Sequence, residues 1–107
     1  MRLKGGDFGP GKADLLDAVG RTGSISEAAR SMGMSYRRAW LLLDSASKLL
    51  GGRRLIVAAT GGTKGGGARL TPFGREVVAT YRAMTDRVDR AARGSLRRFH
   101  TWNASGA

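Results

Sequence analysis

The stretch that decides the fold is residues 23–40, GSISEAARSMGMSYRRAW. Its first half predicts a short helix capped by Ser26, because a serine oxygen can accept a backbone N–H of the first helical turn. Gly33 predicts the end of that helix, since glycine readily adopts the left-handed backbone of a helix terminus. Ser35 predicts a second N-cap and a second helix. Two short helices joined by a tight turn predict a helix-turn-helix, which places its second helix in the DNA major groove.

Apolar residues at helical spacing extend the prediction to both sides of this stretch. The predicted helices span residues 12–21, 26–32, 36–50 and 72 to about 98, and residues 1–4 are a short candidate strand. Thr71 predicts the N-cap of the last helix, and Pro72 suits its first turn because no N–H is needed there. In the third helix, Ala39, Leu43 and Ala46 are predicted to face the core, and Trp40 is interpreted as a core or interface ring.

Residues 53–60 and 68–71 predict two strands on either side of the glycine-rich segment 61–67. A hairpin placed directly after a recognition helix is the wing of a winged helix. The predicted fold class is therefore mainly α with a small β-hairpin wing, a winged helix-turn-helix with a long C-terminal dimerisation helix. Residues 1–93 are predicted to form this single DNA-binding domain. Residues 94–107 are expected to be the helix end and a frayed tail, with Gly94 breaking or bending the helix.

The charge of the chain indicates a polyanionic partner. Nineteen Lys and Arg against eight Asp and Glu give a net charge of +11. Residues 1–50 carry eight basic and five acidic side chains, whereas residues 51–107 carry eleven and three. Such an excess favours nucleic acid over a membrane surface or an acidic protein.

The composition provides few of the residues that metal sites and catalytic triads require. The chain has no cysteine and one histidine, His100, which leaves no thiolate zinc site, histidine-based metal site or catalytic triad to assemble. We expect a protein that is not an enzyme and has no cofactor or metal. No membrane span or signal-peptide region is evident, so a cytoplasmic, nucleoid-associated location is predicted.

The strongest candidates for DNA contact are Tyr36, Arg37 and Arg38, at the start of the second helix of the helix-turn-helix. Arg37 or Arg38 is predicted to reach guanine O6 and N7, and Tyr36 a phosphate or a thymine methyl group. The alternative is a solvated helix end, but positive charges at a helix N-terminus oppose its dipole. Lys64 is predicted to contact a phosphate from the wing tip. Its surroundings lack the pattern of a nucleotide-binding phosphate loop, because Gly65 stands where serine or threonine is required.

The last helix carries an apolar seam that we interpret as a homodimer interface. Its members recur at spacings of 4, 3, 4 and 3, on a helix too long for so small a core to cover. The residues of this seam are Val77, Tyr81, Met84, Val88 and Ala91.

Three segments carry a resemblance to a known family. Residues 23–30 (GSISEAAR), 34–40 (MSYRRAW) and 60–74 (TGGTKGGGARLTPFG) resemble the N-terminal domain of ModE-type molybdate-responsive regulators. More distantly, they are similar to the DNA-binding domain of LysR-type regulators. The likeness covers about residues 3–92. It implies a winged helix-turn-helix that dimerises through its long terminal helix and binds palindromic double-stranded DNA.

By the matched motifs, the resemblance implicates Ser35, Tyr36, Arg37 and Arg38 in the recognition helix, with Lys64 and Arg69 in the wing. The predicted DNA-contacting residues are Ser26, Ser35, Tyr36, Arg37, Arg38, Lys64 and Arg69. Full-length family members also carry C-terminal molybdate-binding domains, to which none of the 107 residues corresponds. No oxyanion-binding residues are therefore predicted, and the expectation is a stand-alone regulator or one that takes its signal from a partner.

The sequence predicts a bacterial, homodimeric, sequence-specific transcriptional regulator. Two alternatives remain open. The basic second half also suits an architectural DNA-binding protein with little sequence preference. A winged helix can also serve as a protein-interaction module.

Overall fold

The computed structural model describes residues 1–59 and 67–106. Its elements, in chain order, are β1 (Arg2–Leu3), β2 (Gly6–Asp7), α1 (Pro10–Thr22), α2 (Ile25–Ser31), α3 (Tyr36–Leu49), β3 (Ile56–Ala59), β4 (Gly67–Leu70) and α4 (Pro72–Ser105). The prediction of a mainly helical chain with a small antiparallel hairpin and a long C-terminal helix is confirmed.

The core lies between the first three helices, with β4 and the start of α4 packed against it. Helix α1 contacts α2, α3, α4 and β4. It buries Leu15, Leu16 and Val19 completely. Small residues on the facing helices let the helices approach closely. These buried residues are Ala28 and Ala29 of α2 and Ala39 and Ala46 of α3, joined by the larger Leu43.

Serine and threonine caps set the starts of three helices. Ser35 Oγ accepts a hydrogen bond from the backbone N–H of Arg38 at 3.1 Å, and Thr71 Oγ1 accepts one from Gly74 at 2.9 Å, as predicted. The predicted cap of α2 is wrong. Ser24 has extended backbone and accepts from the N–H of Glu27 at 3.1 Å, so Ser26 lies inside the first turn, where it is exposed. The turn between α2 and α3 uses Gly33 at φ +68°, in the left-handed region.

The hairpin of β3 and β4 packs against the turn between α1 and α2. The strands are antiparallel, with Ile56 opposite Leu70. Alternation along β4 buries Ala68 and Leu70 and leaves Arg69 exposed. The N–H of Ala68 donates to the carbonyl oxygen of Gly23 at 2.8 Å, which fixes the hairpin beside the start of α2. The predicted contact at Lys64 lies outside the described residues.

A tight joint connects the hairpin to α4. Thr71 donates from its N–H to Leu55 O at 3.0 Å and from its hydroxyl to Arg54 O at 2.7 Å. Within the first turn of α4, Gly74 is buried against the segment that leads into β3, and a Cβ there would overlap the carbonyl oxygen of Leu55. The first turn of α4 is thereby held on the segment that leads into β3.

Helix α4 is longer than predicted. It continues through Gly94 to Ser105, so the predicted break or bend at Gly94 and the predicted helix end at about Arg98 are wrong. A glycine within a helix costs only about 1 kcal/mol relative to alanine, which the turns on either side can offset. The end of α4 gains side-chain contacts, because the rings of Phe99 and Trp102 meet edge to face at 5.1 Å.

With 34 residues, α4 is about 51 Å long, which accounts for most of the 55 Å long axis of the molecule. Among the described helices, none is both long and apolar enough to cross a bilayer.

Candidate nucleic-acid interface

The first turn of α3 presents two guanidinium groups and a phenol to solvent. Tyr36, Arg37 and Arg38 are all exposed, directly after the N-cap Ser35. No acidic side chain lies in this turn to complement the positive end of the helix dipole. Two arginines here therefore add positive charge where it does not stabilise the helix. The charge is available to an anionic partner.

The solvent face of α3 contains a shallow concavity. It has a volume of about 480 Å³ and is lined by Tyr36, Arg37, Trp40 and Leu41. Tyr36 and Trp40 lie one helical turn apart, as do Arg37 and Leu41, so the four side chains form two adjacent rows. The concavity thus combines one guanidinium with two aromatic side chains and one aliphatic side chain.

The two arginines of this turn differ in position. Arg37 lines the concavity, whereas Arg38 does not. The Arg38 side chain is also exposed, and the backbone N–H of this residue donates to Ser35 Oγ. Of the pair that the sequence leaves equivalent, Arg37 is the one placed beside Tyr36 and Trp40.

The other predicted contact residues lie on neighbouring elements. Ser26 is exposed in the first turn of α2, and Arg69 is exposed on β4. Arg69 lines a second concavity of about 430 Å³ between α1, β4 and α4, together with Arg21, Arg75 and Arg82. These residues are therefore not gathered into the concavity of α3. Ser35 acts in this structure as a helix cap, with its oxygen directed at the backbone of α3.

The acidic side chain of the second concavity is already engaged. Asp17 of α1 pairs with Arg21, at 3.1 Å from its Nε, and with Arg82 of α4. The contact between Asp17 and Arg82 joins α1 to α4.

The C-terminal half of α3 contains an ion pair. Lys48 pairs with Asp44 at 2.9 Å, so the charges of these two side chains balance each other.

The apolar seam of α4 changes character along its length. Val77 and Tyr81 are partly buried against the core, and the Tyr81 ring meets Phe8 edge to face at 5.6 Å. Further along, Val88 is 59% exposed and Ala91 is also exposed. The first half of the seam therefore contributes to the fold of the chain itself. The second half extends beyond the core with its apolar side chains in solvent.

Trp40 is half exposed, so of the two interpretations drawn from the sequence, a core ring is wrong and an interface ring stays a prediction. Trp40 lies about 100° around the helix from the buried Ala39, which puts it at the margin of the core stripe. An aromatic ring at that margin is free to join the solvent face of α3.

Comparison with known proteins finds relatives among bacterial regulators, although no family model matches the chain. The chain is 51% identical over 73 residues, 68% of its length, to the molybdenum transport protein ModE of Herbaspirillum seropedicae. It is 46% identical over 84 residues, 78% of its length, to the molybdenum-pterin-binding protein MopB of Rhodobacter capsulatus. It is 38% identical over 72 residues, 67% of its length, to the DNA-binding transcriptional dual regulator ModE of Escherichia coli K12.

The matched stretches make up 27%, 31% and 27% of these three relatives, so the chain spans less than a third of their length. Two of the three share the name ModE, and the matches correspond to the N-terminal domain of such proteins. The chain is therefore a homologue of the N-terminal domain of ModE-type regulators.

Proposed function

We propose that this chain is a sequence-specific DNA-binding domain that regulates transcription as a homodimer. The observation that carries the proposal is the first turn of α3, where Arg37 and Arg38 are exposed at a capped helix end that their charge does not stabilise. Relatives named as transcriptional regulators support the same class of function.

In this proposal α2 and α3 form a helix-turn-helix, with α3 as the recognition helix in the major groove. Arg37 donates to O6 and N7 of a guanine, because its guanidinium can make two parallel hydrogen bonds with that base edge. Arg38 contacts the phosphate backbone at the margin of the groove. The hairpin of β3 and β4 is the wing, and Arg69 and Lys64 bind backbone phosphates beside the groove.

The homodimer forms through α4. The seam residues Val88 and Ala91 are exposed in the single chain, and burying apolar surface against a second copy is favourable at roughly 25 cal/mol per Å². A two-fold complex would place two copies of α3 in successive major grooves about 34 Å apart. The bound DNA site would then be an inverted repeat.

The dependence of DNA affinity on salt tests the electrostatic part of this proposal. If two protomers make six or more phosphate contacts, the logarithm of the association constant should fall with the logarithm of the salt concentration at a slope of about −5 or steeper, since each contact contributes about −0.9. The measurement is a fluorescence-anisotropy titration of the full chain on duplex DNA at several salt concentrations.

A matched pair of variants locates the contacts. Arg69→Ala should reduce the steepness of the slope by about one for each protomer, because it removes one phosphate contact. Arg97→Ala removes the same charge near the far end of α4 and should leave the slope unchanged. An affinity that does not respond to salt would contradict the proposal.

A further inference from the structure

The solvent face of α3 contains an apolar ledge that its packing does not require. The ledge consists of Tyr36, Trp40 and Leu41, which are 54%, 50% and 50% exposed. The core contacts of α3 come instead from Ala39, Leu43 and Ala46, which are buried on another side of the helix. Contiguous exposed apolar side chains typically mark a binding surface.

Trp40 borders a third depression as well as the concavity of α3. This depression has a volume of about 240 Å³, and its other apolar walls include Ile25 of α2 and Leu55 and Ile56 at the start of the hairpin. Because half of its side chain is exposed, Trp40 presents apolar surface at the solvent side of the helix.

The neighbouring charge indicates what the ledge contacts. Arg37 lines the same concavity as Trp40 and Leu41. In the major groove, the one apolar group on a base edge is the 5-methyl group of thymine, and it lies beside the hydrogen-bonding atoms of adjacent base pairs. The arrangement therefore fits a guanine next to a thymine, with the guanidinium of Arg37 on the guanine edge and the apolar ledge on the thymine methyl group.

We infer that Trp40, together with Leu41, contacts the 5-methyl group of a thymine next to the base pair that Arg37 reads. The inference rests on the proposed function and deepens it, because it assigns part of the sequence preference to apolar contact. Tyr36 lies at the start of the helix with a hydroxyl group that can donate to a phosphate, so the methyl contact is assigned to Trp40.

The test removes the methyl group without changing base pairing. The DNA site is first obtained by selection from a random pool with the full chain. Each thymine of that site is then replaced in turn by deoxyuridine, and the affinity of each duplex is measured at one salt concentration. At one thymine in each half-site, we expect about four-fold weaker binding, because burying one methylene-sized group contributes about 0.8 kcal/mol.

Two variants assign this effect to the ledge. In Trp40→Ala the difference between the thymine and deoxyuridine duplexes should disappear. In Trp102→Ala, which truncates a ring 53% exposed near the end of α4, the four-fold difference should remain. Circular dichroism of both variants checks that they keep their helices. The deoxyuridine scan uses the unaltered protein, so it does not depend on either variant.

The outcomes separate the inference from the proposed function. Selective binding that is indifferent to every deoxyuridine, a selected site without thymine, or a Trp40→Ala variant that keeps the full methyl effect would each overturn the inference alone. A protein that binds no DNA would overturn both.

Discussion

Replacing Gly74 with alanine should lower the free energy of unfolding by about 3 kcal/mol, because overpacking a fixed backbone contact costs 1–3 kcal/mol and sometimes more. An added Cβ would overlap the carbonyl oxygen of Leu55 and lie 3.2 Å from its carbonyl carbon. The neighbouring group is backbone, so a side-chain rotation cannot relieve the clash. Chemical denaturation followed by circular dichroism measures the change.

Gly94→Ala is the matched control, since it makes the same substitution in the same helix. A Cβ at Gly94 meets nothing within 4 Å. This variant should therefore be stabilised by up to about 1 kcal/mol through helix propensity alone. If Gly74→Ala unfolded at the denaturant concentration of the unaltered protein, the tight joint between the hairpin and α4 would not exist in solution.

Replacing Arg37 with alanine should reduce the ratio of specific to non-specific DNA binding by about 10- to 100-fold, since a bidentate contact to a guanine discriminates by about 1–3 kcal/mol. Arg37 lines the concavity on the solvent face of α3, where a base edge would lie. The ratio is measured by titrating the selected site and a scrambled duplex under identical salt conditions.

Arg38→Ala is the control for charge, because it removes an equal charge from the same helical turn. It should weaken binding to both duplexes by similar factors, as loss of a phosphate contact does. A selectivity loss in Arg38→Ala with none in Arg37→Ala would reverse the assignment of the two arginines. Unchanged selectivity in both variants would contradict α3 as the recognition helix.

The parts of the fold that the sequence predicts correctly depend on short-range chemistry. Ser35 and Thr71 cap their helices as expected, because a cap is decided within one helical turn. The N-cap of α2, predicted at Ser26 and found at Ser24, is also decided within one helical turn. Ser24 and Glu27 stand three residues apart in the spacing of a capping box, which favours Ser24 over Ser26 as the cap.

Other features depend on contacts between distant residues. The close approach at Gly74 involves Leu55, 19 residues earlier in the chain, and no local pattern indicates it. The end of α4 predicted at about Arg98 is wrong, because the helix continues to Ser105 and the first glycine after Arg98 is Gly106. For the candidate site, the sequence proposes Tyr36, Arg37 and Arg38, but the placement of Arg37 rather than Arg38 beside the concavity of α3 depends on the arrangement of the side chains in the folded protein.

The central claim is that α3 reads a DNA sequence as part of a two-fold complex. Selection of bound duplexes from a random pool by the full chain tests it most directly, because the enriched sequences report base preference, half-site spacing and symmetry together. We predict one enriched motif made of two inverted half-sites, with centres about one helical turn of DNA apart. Binding that enriches no motif would contradict it and would favour an architectural DNA-binding protein, and no binding at all would favour a protein-interaction module.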